Sequence, residues 1–166
     1  MTHPSDIAFF ACGGTIDKIY FDAKSSYSVG APAVTDIAKR ARATFAAAQS
    51  LLKKDSLEMT DADREAVATA VAASDAQRIV ITHGTDTMAD TARAIVANAT
   101  AAKKTVVLVG AFLPAVFKES DADFNIGFAA AAALCLPAGV YVAMNGRILP
   151  AATVRKNRAA GEFQAE

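Results

Sequence analysis

The sequence predicts a three-layer α/β fold, Rossmann-like, in which a doubly wound, mostly parallel sheet lies between helices and a C-terminal β-hairpin closes the chain. Three observations point there. Short runs rich in β-branched or aromatic residues, at 7–11, 78–81, 105–109 and 140–144, read as buried strands. Ala-rich stretches with helical spacing separate them, and that alternation implies right-handed crossovers into a parallel sheet. Asn145-Gly146 lies between Val142-Ala143-Met144 and Arg147-Ile148-Leu149, a type I′ turn signal that adds an antiparallel edge.

In chain order, the first strand spans Ile7 to Ala11 and a helix follows over Thr35 to Arg42. Phe45 to Leu52 is Ala-rich, but a parallel sheet needs a strand before the next crossover, so it is assigned to one. Thr60, with Asp61 and Asp63 in the first turn, caps a helix running to about Ala73. Arg78 to Ile81 is the next strand. A helix over Thr87 to Asn98 places Met88, Ala92, Ile95 and Val96 on one face. Thr105 to Val109, a helix over Phe124 to Leu134, and Val140 to Met144 complete the series.

At 166 residues and 53% hydrophobic content, one domain over residues 1–166 is expected, with enough apolar material to fill its core. Seventeen Lys+Arg against seventeen Asp+Glu leave zero net charge and no like-charge block, so neither nucleic acid nor a membrane surface is an expected partner. The absence of net repulsion favours self-association into a homo-oligomer. The apolar stretch from Ile126 to Met144 is broken by Gly127, Pro137 and Gly139 and should not span a bilayer. The N-terminus shows no secretory pattern, and Cys12 and Cys135 fit neither a disulfide framework nor a zinc site. A cytoplasmic location and no zinc site are therefore expected.

Polar clusters fall just past the C-terminal ends of successive strands: Cys12-Gly13-Gly14-Thr15, Lys53-Lys54-Asp55-Ser56, Thr82-His83-Gly84-Thr85-Asp86-Thr87 and Gly110-Ala111. In an open parallel sheet those ends line one crevice. Gly13-Gly14 permits a sharp turn that presents backbone N–H groups, but neither a dinucleotide nor a phosphate-loop pattern is complete. The 82–87 loop is more heavily loaded than a connector requires. Helix capping by Asp86 and Thr87 would explain those two residues and leave Thr85 unexplained. His83 has no neighbouring histidine and reads as structural. A threonine hydroxyl needs a base to become a nucleophile, and Tyr20, Tyr27, a carboxylate or the late Lys156 are the available candidates.

These clusters resemble one family, the bacterial-type L-asparaginases that use threonine. Ala11-Cys12-Gly13-Gly14-Thr15-Ile16 is similar to its T-G-G-T-I signature, with Cys12 in place of the usual Thr, and His83-Gly84-Thr85-Asp86-Thr87-Met88 matches H-G-T-D-T-M. Lys54-Asp55-Ser56-Leu57-Glu58-Met59-Thr60, Ser26-Tyr27-Ser28-Val29-Gly30, Val109 to Pro114, Val142 to Asn145 and Val154-Arg155-Lys156 resemble further family segments in order. The final Phe163-Gln164 continues the series. The resemblance implies Thr15 as primary nucleophile, with Tyr27 as hydroxyl partner and Tyr20 as the competing candidate. It implies a second set of Thr85, Asp86 and Lys156, in which Lys156 relays a proton from Thr85 and Asp86 engages the substrate amino group. Ser56 would bind the α-carboxylate. Asp55, Gly14, Gly84 and Ala111 would line the substrate.

The implied reaction is hydrolysis of L-asparagine to L-aspartate and ammonia through a threonine acyl-enzyme, slower on L-glutamine and needing no cofactor. The family's usual member carries a second, smaller domain, so this chain is expected to be a short form lacking it, assembled as a dimer or tetramer. Asp17-Lys18 departs from the small residues that commonly follow the first signature. Two other readings share the motifs: a non-catalytic amino-acid-binding module, and the amidase subunit of a tRNA-dependent amidotransferase, which the missing basic patch argues against.

Overall fold

The computed structural model describes residues 3, 6–21, 26–46 and 48–165. The reading of the N-terminus as lacking a secretory segment falls partly on residues 1, 2, 4 and 5, outside the described set, as does Ala47 within the expected strand 45–52. The described chain forms β1 (Ile7–Gly13), a hairpin of β2 (Lys18–Phe21) and β3 (Ser26–Val29), then α1 (Val34–Ala41), β4 (Ala48–Lys54) and α2 (Asp61–Ala73). There follow β5 (Arg78–Thr82), α3 (Met88–Ala97), β6 (Thr105–Val109), α4 (Ala122–Cys135), β7 (Gly139–Met144), β8 (Arg147–Pro150) and a second hairpin of β9 (Val154–Asn157) and β10 (Glu162–Ala165).

The main sheet has the order β4-β1-β5-β6-β7-β8. The first five strands are parallel, and β8 is antiparallel to β7 with Met144 opposite Arg147. Asn145 and Gly146 turn between them at φ 55° and 67°, as the type I′ signal requires. Ile79, Val80 and Ile81 of β5 and Val106 to Val109 of β6 are fully buried, because helices cover both faces. This is why these strands carry continuous apolar runs rather than alternation. Small side chains on α4, including Ala122, Ala129 and Ala133, let that helix lie close against the sheet.

The strand expected over 45–52 begins three residues later and continues to Lys54. Phe45 instead packs its ring against Phe9, with centroids 4.8 Å apart, and so joins the core from the preceding loop. The β2–β3 hairpin was not anticipated: Lys18 to Val29 pair antiparallel, with Tyr20 opposite Tyr27. Its apolar–polar pattern is too short and too exposed to announce a strand.

The sheet order matters for function. After β1 the chain crosses to one side to form β4, then returns past β1 to form β5 on the other. The connections reverse direction between β1 and β5, and the C-terminal ends of those two strands open the crevice where such sheets bind ligands.

Helix α2 begins with a reciprocal cap. The Thr60 hydroxyl accepts from the Asp63 amide at 3.2 Å, and the Asp63 carboxylate accepts from the Thr60 amide at 2.8 Å. Lys54, at the end of β4, donates to the same carboxylate at 2.9 Å, so the cap also ties the helix to the loop containing Ser56. Thr60→Ala is expected to lower stability by about 1 kcal/mol, read as a reduced urea midpoint with unchanged slope.

Candidate active site

The crevice is built on close backbone contact between loops. Gly13 and Gly14 end β1 at φ 89° and 85°, a region that side chains disfavour. The Gly14 amide donates to the Lys54 carbonyl at 2.9 Å, which turns the chain towards β4. A Cβ on Gly14 would lie 2.3 Å from the Cα of Gly84, and one on Gly84 would lie 2.5 Å from Ser56 Oγ. One on Gly110 would lie 2.4 Å from the His83 carbonyl oxygen. The loops after β1, β4, β5 and β6 thus interlock, and Thr15 and Thr85 each follow one member of the touching Gly14–Gly84 pair. Ala111, buried, follows Gly110.

His83 fixes the β5 loop from below. It is fully buried, and because a carbonyl can only accept, Nδ1 donates to Gly84 O at 2.7 Å. Nε2 then accepts from the Thr91 hydroxyl at 2.8 Å. Burial pushes its pKa down to about 4, so the ring stays neutral at physiological pH. The structural reading of His83 fits this arrangement.

Thr85, Asp86 and Lys156 come together. Lys156 Nζ donates to Thr85 Oγ1 and to Asp86 Oδ1, each at 2.8 Å, and lies 5.4 Å from the centroid of the Phe112 ring. Thr85 is buried, and the lysine side chain is only 14% exposed. Arg158 adds a second cation, with Nε 3.8 Å from the same Asp86 oxygen. Helix capping does not explain the loop's polar residues. Thr87, although the N-cap of α3, makes no capping bond and donates its hydroxyl to the Ser56 carbonyl at 2.8 Å.

The remaining candidates are placed less uniformly. Ser56 is buried against Gly84. Asp55 pairs with Lys18 at 2.7 Å and accepts from the Leu57 amide, and the Lys18 ammonium holds its carboxyl below the usual range. It is therefore engaged within the protein. Tyr20 and Tyr27 lie together on the hairpin, with ring centroids 5.6 Å apart, and both are about half exposed. Among the described residues no hydrogen bond joins either phenol to Thr15.

Other residues around the site were given no role from sequence. Asp17 is buried beneath the hairpin, where its carboxylate accepts from the Ala33 amide and its carbonyl from the Gly30 amide, both at 2.8 Å. Asn125 donates to Gly110 O at 3.0 Å and to Asp121 at 2.7 Å, while Asp121 accepts from the Phe112 and Leu113 amides. One signal was available: Asn125 is a polar residue on the buried face of an Ala-rich helix. Arg158 gave no such signal. Cys12 is buried, and burial pushes its thiol up to about 12, which leaves it protonated and unreactive. A cleft of about 640 Å³ between α2 and α3 lies away from these residues, and four of its charges pair internally, Arg64 with Asp61 and Arg93 with Asp90. Among the described residues no three His, Cys, Asp or Glu side chains gather as a metal set, and no helix is long and apolar enough to cross a membrane.

The chain is similar to known proteins. The family model described as Asparaginase, N-terminal, matches residues 6–165. A protein named probable periplasmic L-asparaginase from Haemophilus influenzae is 44% identical over 80 residues, 46% of this chain and 23% of that protein. The solved thermostable L-asparaginase from Thermococcus kodakarensis superposes with a TM-score of 0.83 at 29% identity, over 96% of this chain and 50% of its own. L-asparaginase I from Vibrio cholerae gives 0.80 at 28% identity, over 96% and 51%. A probable cytoplasmic L-asparaginase from Campylobacter jejuni gives 0.74 at 29%, with the same coverage. The chain spans about half the length of these solved relatives.

Two buried groups set opposing acid responses. Burial raises the Asp17 carboxyl from 3.8 to about 6, so folding favours its neutral form and stability rises as pH falls through 6 towards 3.8. His83 is lowered from 6.5 to about 4, so its contribution is present above 6.5 and is lost as pH falls through 4. Each is worth about 3 kcal/mol, and the two slopes oppose one another between about pH 4 and 6. Asp17→Asn is expected to be more stable than the wild type at neutral pH, with the advantage gone near pH 4, as urea midpoints across that range would record.

Proposed function

The chain belongs to the asparaginase family, matching its N-terminal domain, and on that premise we propose that it hydrolyses the side-chain amide of L-asparagine to L-aspartate and ammonia. One observation carries the proposal: Lys156, seventy residues along the chain from Asp86, places Nζ 2.8 Å from both the Thr85 hydroxyl and the Asp86 carboxylate. A buried threonine, a lysine able to relay its proton and a carboxylate fixed beside them supply the parts that acyl transfer needs.

In this scheme Thr15 Oγ attacks the amide carbon, ammonia leaves, and water cleaves the resulting ester to release aspartate. Thr85 and Lys156 carry protons to and from the reacting atoms, and Asp86 receives the substrate ammonium. Backbone N–H groups near Gly14 and Thr85 stabilise the oxyanion, at about 2.7–4 kcal/mol per donor. Ser56 takes the α-carboxylate, and Ala111 lies beside the side-chain amide. L-Glutamine, one methylene longer, would be turned over more slowly, and no cofactor enters the scheme. Residues 1–166 would act as one domain in the cytoplasm, although the names of the relatives divide between periplasm and cytoplasm.

A second reading, an amino-acid-binding module without turnover, is favoured by one feature: neither Tyr20 nor Tyr27 is bonded to Thr15 among the described residues, so the first threonine has no base in place. An ammonia-release assay separates the two. Ammonia from asparagine is expected at high substrate, with Thr15→Ala and Thr85→Val each slowing release about a hundredfold or more while the fold is retained. Asparagine binding with no ammonia at saturation would favour the binding module.

Assembly is the second part of the proposal. Ile19, Tyr20, Tyr27, Val116 and Phe117 expose apolar surface around the first hairpin, and Tyr27 and Phe117 lie with ring centroids 6.0 Å apart. A second copy covering this surface would make a homo-oligomer, a dimer or tetramer. Sedimentation at micromolar concentration is expected to show that species, and monomer alone would exclude it.

A further inference from the structure

Lys156 stands on β9, and β9 is not part of the main sheet. Its hairpin with β10 is a separate two-stranded unit, so ladder bonds to the core do not set the position of Nζ over Thr85. What sets it is the docking of the hairpin. The side chains of Val154 and Phe163 are buried, which fixes depth but not register. Beside the side-chain pairs Arg158–Asp86 and Arg147–Glu162, three hydrogen bonds among the described residues hold the backbone of the hairpin. Arg93 on α3 donates to the Val154 carbonyl at 3.1 Å, Arg147 on β8 donates to the Phe163 carbonyl at 3.3 Å, and Asn145 Oδ1 accepts from the Phe163 amide at 3.0 Å.

Phe163 is the cross-strand partner of Lys156. The Asn145 contact therefore acts on the residue paired with the lysine. It also comes from the end of β7, a central-sheet strand whose Val142, Ala143 and Met144 are buried. Arg147 is half exposed and shares its guanidinium with Glu162 at 3.2 Å, so its hold is looser. Asn145 serves two separable purposes. As the first residue of the type I′ turn it needs only a positive φ, which glycine provides equally well. The acceptor on its side chain is not needed for the turn and is spent on the hairpin.

We propose that Asn145 is a positioning residue for Lys156: its side-chain carbonyl sets the register of the β9–β10 hairpin on the sheet, and so the placement of Nζ between Thr85 and Asp86. This rests on the acyl-transfer reading above. Asn145 touches neither substrate nor reacting atoms and works through the backbone of Phe163. Asn145 is exposed but the Phe163 residue it holds is buried, so loss of this one half-buried bond should cost some stability without unfolding the chain, and should appear in the rate.

The test exploits that separation. Asn145→Gly keeps the turn and removes the acceptor, while Asn145→Asp keeps both. The glycine variant is expected to lose kcat by about tenfold or more with little change in KM while remaining folded, and the aspartate variant to recover most of it. An unchanged kcat in Asn145→Gly, or an aspartate variant no better than the glycine one, overturns the proposal. A second readout does not need turnover: limited acylation with acetic anhydride, read by peptide mass spectrometry, compares Lys156 with Lys103. Lys156 is expected to acylate several-fold faster in Asn145→Gly than in the wild type. An unchanged ratio overturns the positioning role, whereas a wild type that releases no ammonia but shows the expected acylation change overturns only the acyl-transfer reading.

Discussion

The site depends on two backbones meeting without side chains between them. Gly14 and Gly84 end the loops of β1 and β5 at the point where the sheet reverses its order, and a Cβ on the first would sit 2.3 Å from the second. That contact brings Thr15 and Thr85, which follow these two glycines, to adjoining loops. The next contact outward repeats the rule, with Gly84 against Ser56, and the next again, with Gly110 against His83. Each larger residue would push one wall of the crevice away from the others. The polar residues are therefore concentrated by the small ones beside them.

On that base the two hairpins are attached in different ways. The β9–β10 hairpin buries Phe163, receives hydrogen bonds from α3 and β8 and donates one to the β7–β8 turn, so Lys156 arrives held from several directions. The β2–β3 hairpin presents half-exposed tyrosines and is anchored at its base. There Asp17 holds Gly30 and Ala33, Lys18 holds Asp55, and the Ala115 amide donates to the Ile16 carbonyl at 3.1 Å. Fixed dipoles and charges that need no rearrangement during reaction are the main source of electrostatic catalysis. The Thr85–Asp86–Lys156 side of the crevice has that character, and the Thr15 side has less of it.

Much of this was legible in the sequence because it depended on local chemistry. The buried strands announced themselves as uninterrupted apolar runs, Thr60 with Asp63 as a cap, and Asn145-Gly146 as a turn. The grouping of Thr85 with Lys156 came from the resemblance of two motifs and not from any spacing, since seventy-one residues separate them. What stayed hidden depended on tertiary placement. Nothing in the string Ile16-Asp17-Lys18 says that the aspartate is buried and the lysine turned towards Asp55. Likewise, Asx-Gly turn chemistry accounts so fully for Asn145 that its side chain invites no further question. The Thr87 hydroxyl is a further case: its position before α3 suggests a cap, and its bond goes instead to the Ser56 carbonyl, thirty-one residues away.

Asp17 shows how an apparent defect can serve the site. A buried carboxylate with no cation bonded to it among the described residues is costly, and its raised pKa reflects that cost. An alanine there would be cheaper, but it would leave the Ala33 amide without this acceptor and the exit of the hairpin without its tie. The carboxylate lies two residues beyond Thr15, and through its carbonyl it also holds Gly30, the residue that ends the hairpin. One residue thus joins both ends of the segment bearing Tyr20 and Tyr27 to the loop bearing the first threonine. The stability lost by burying that charge fixes where the hairpin leaves the core, and that in turn sets where the two tyrosines stand relative to Thr15.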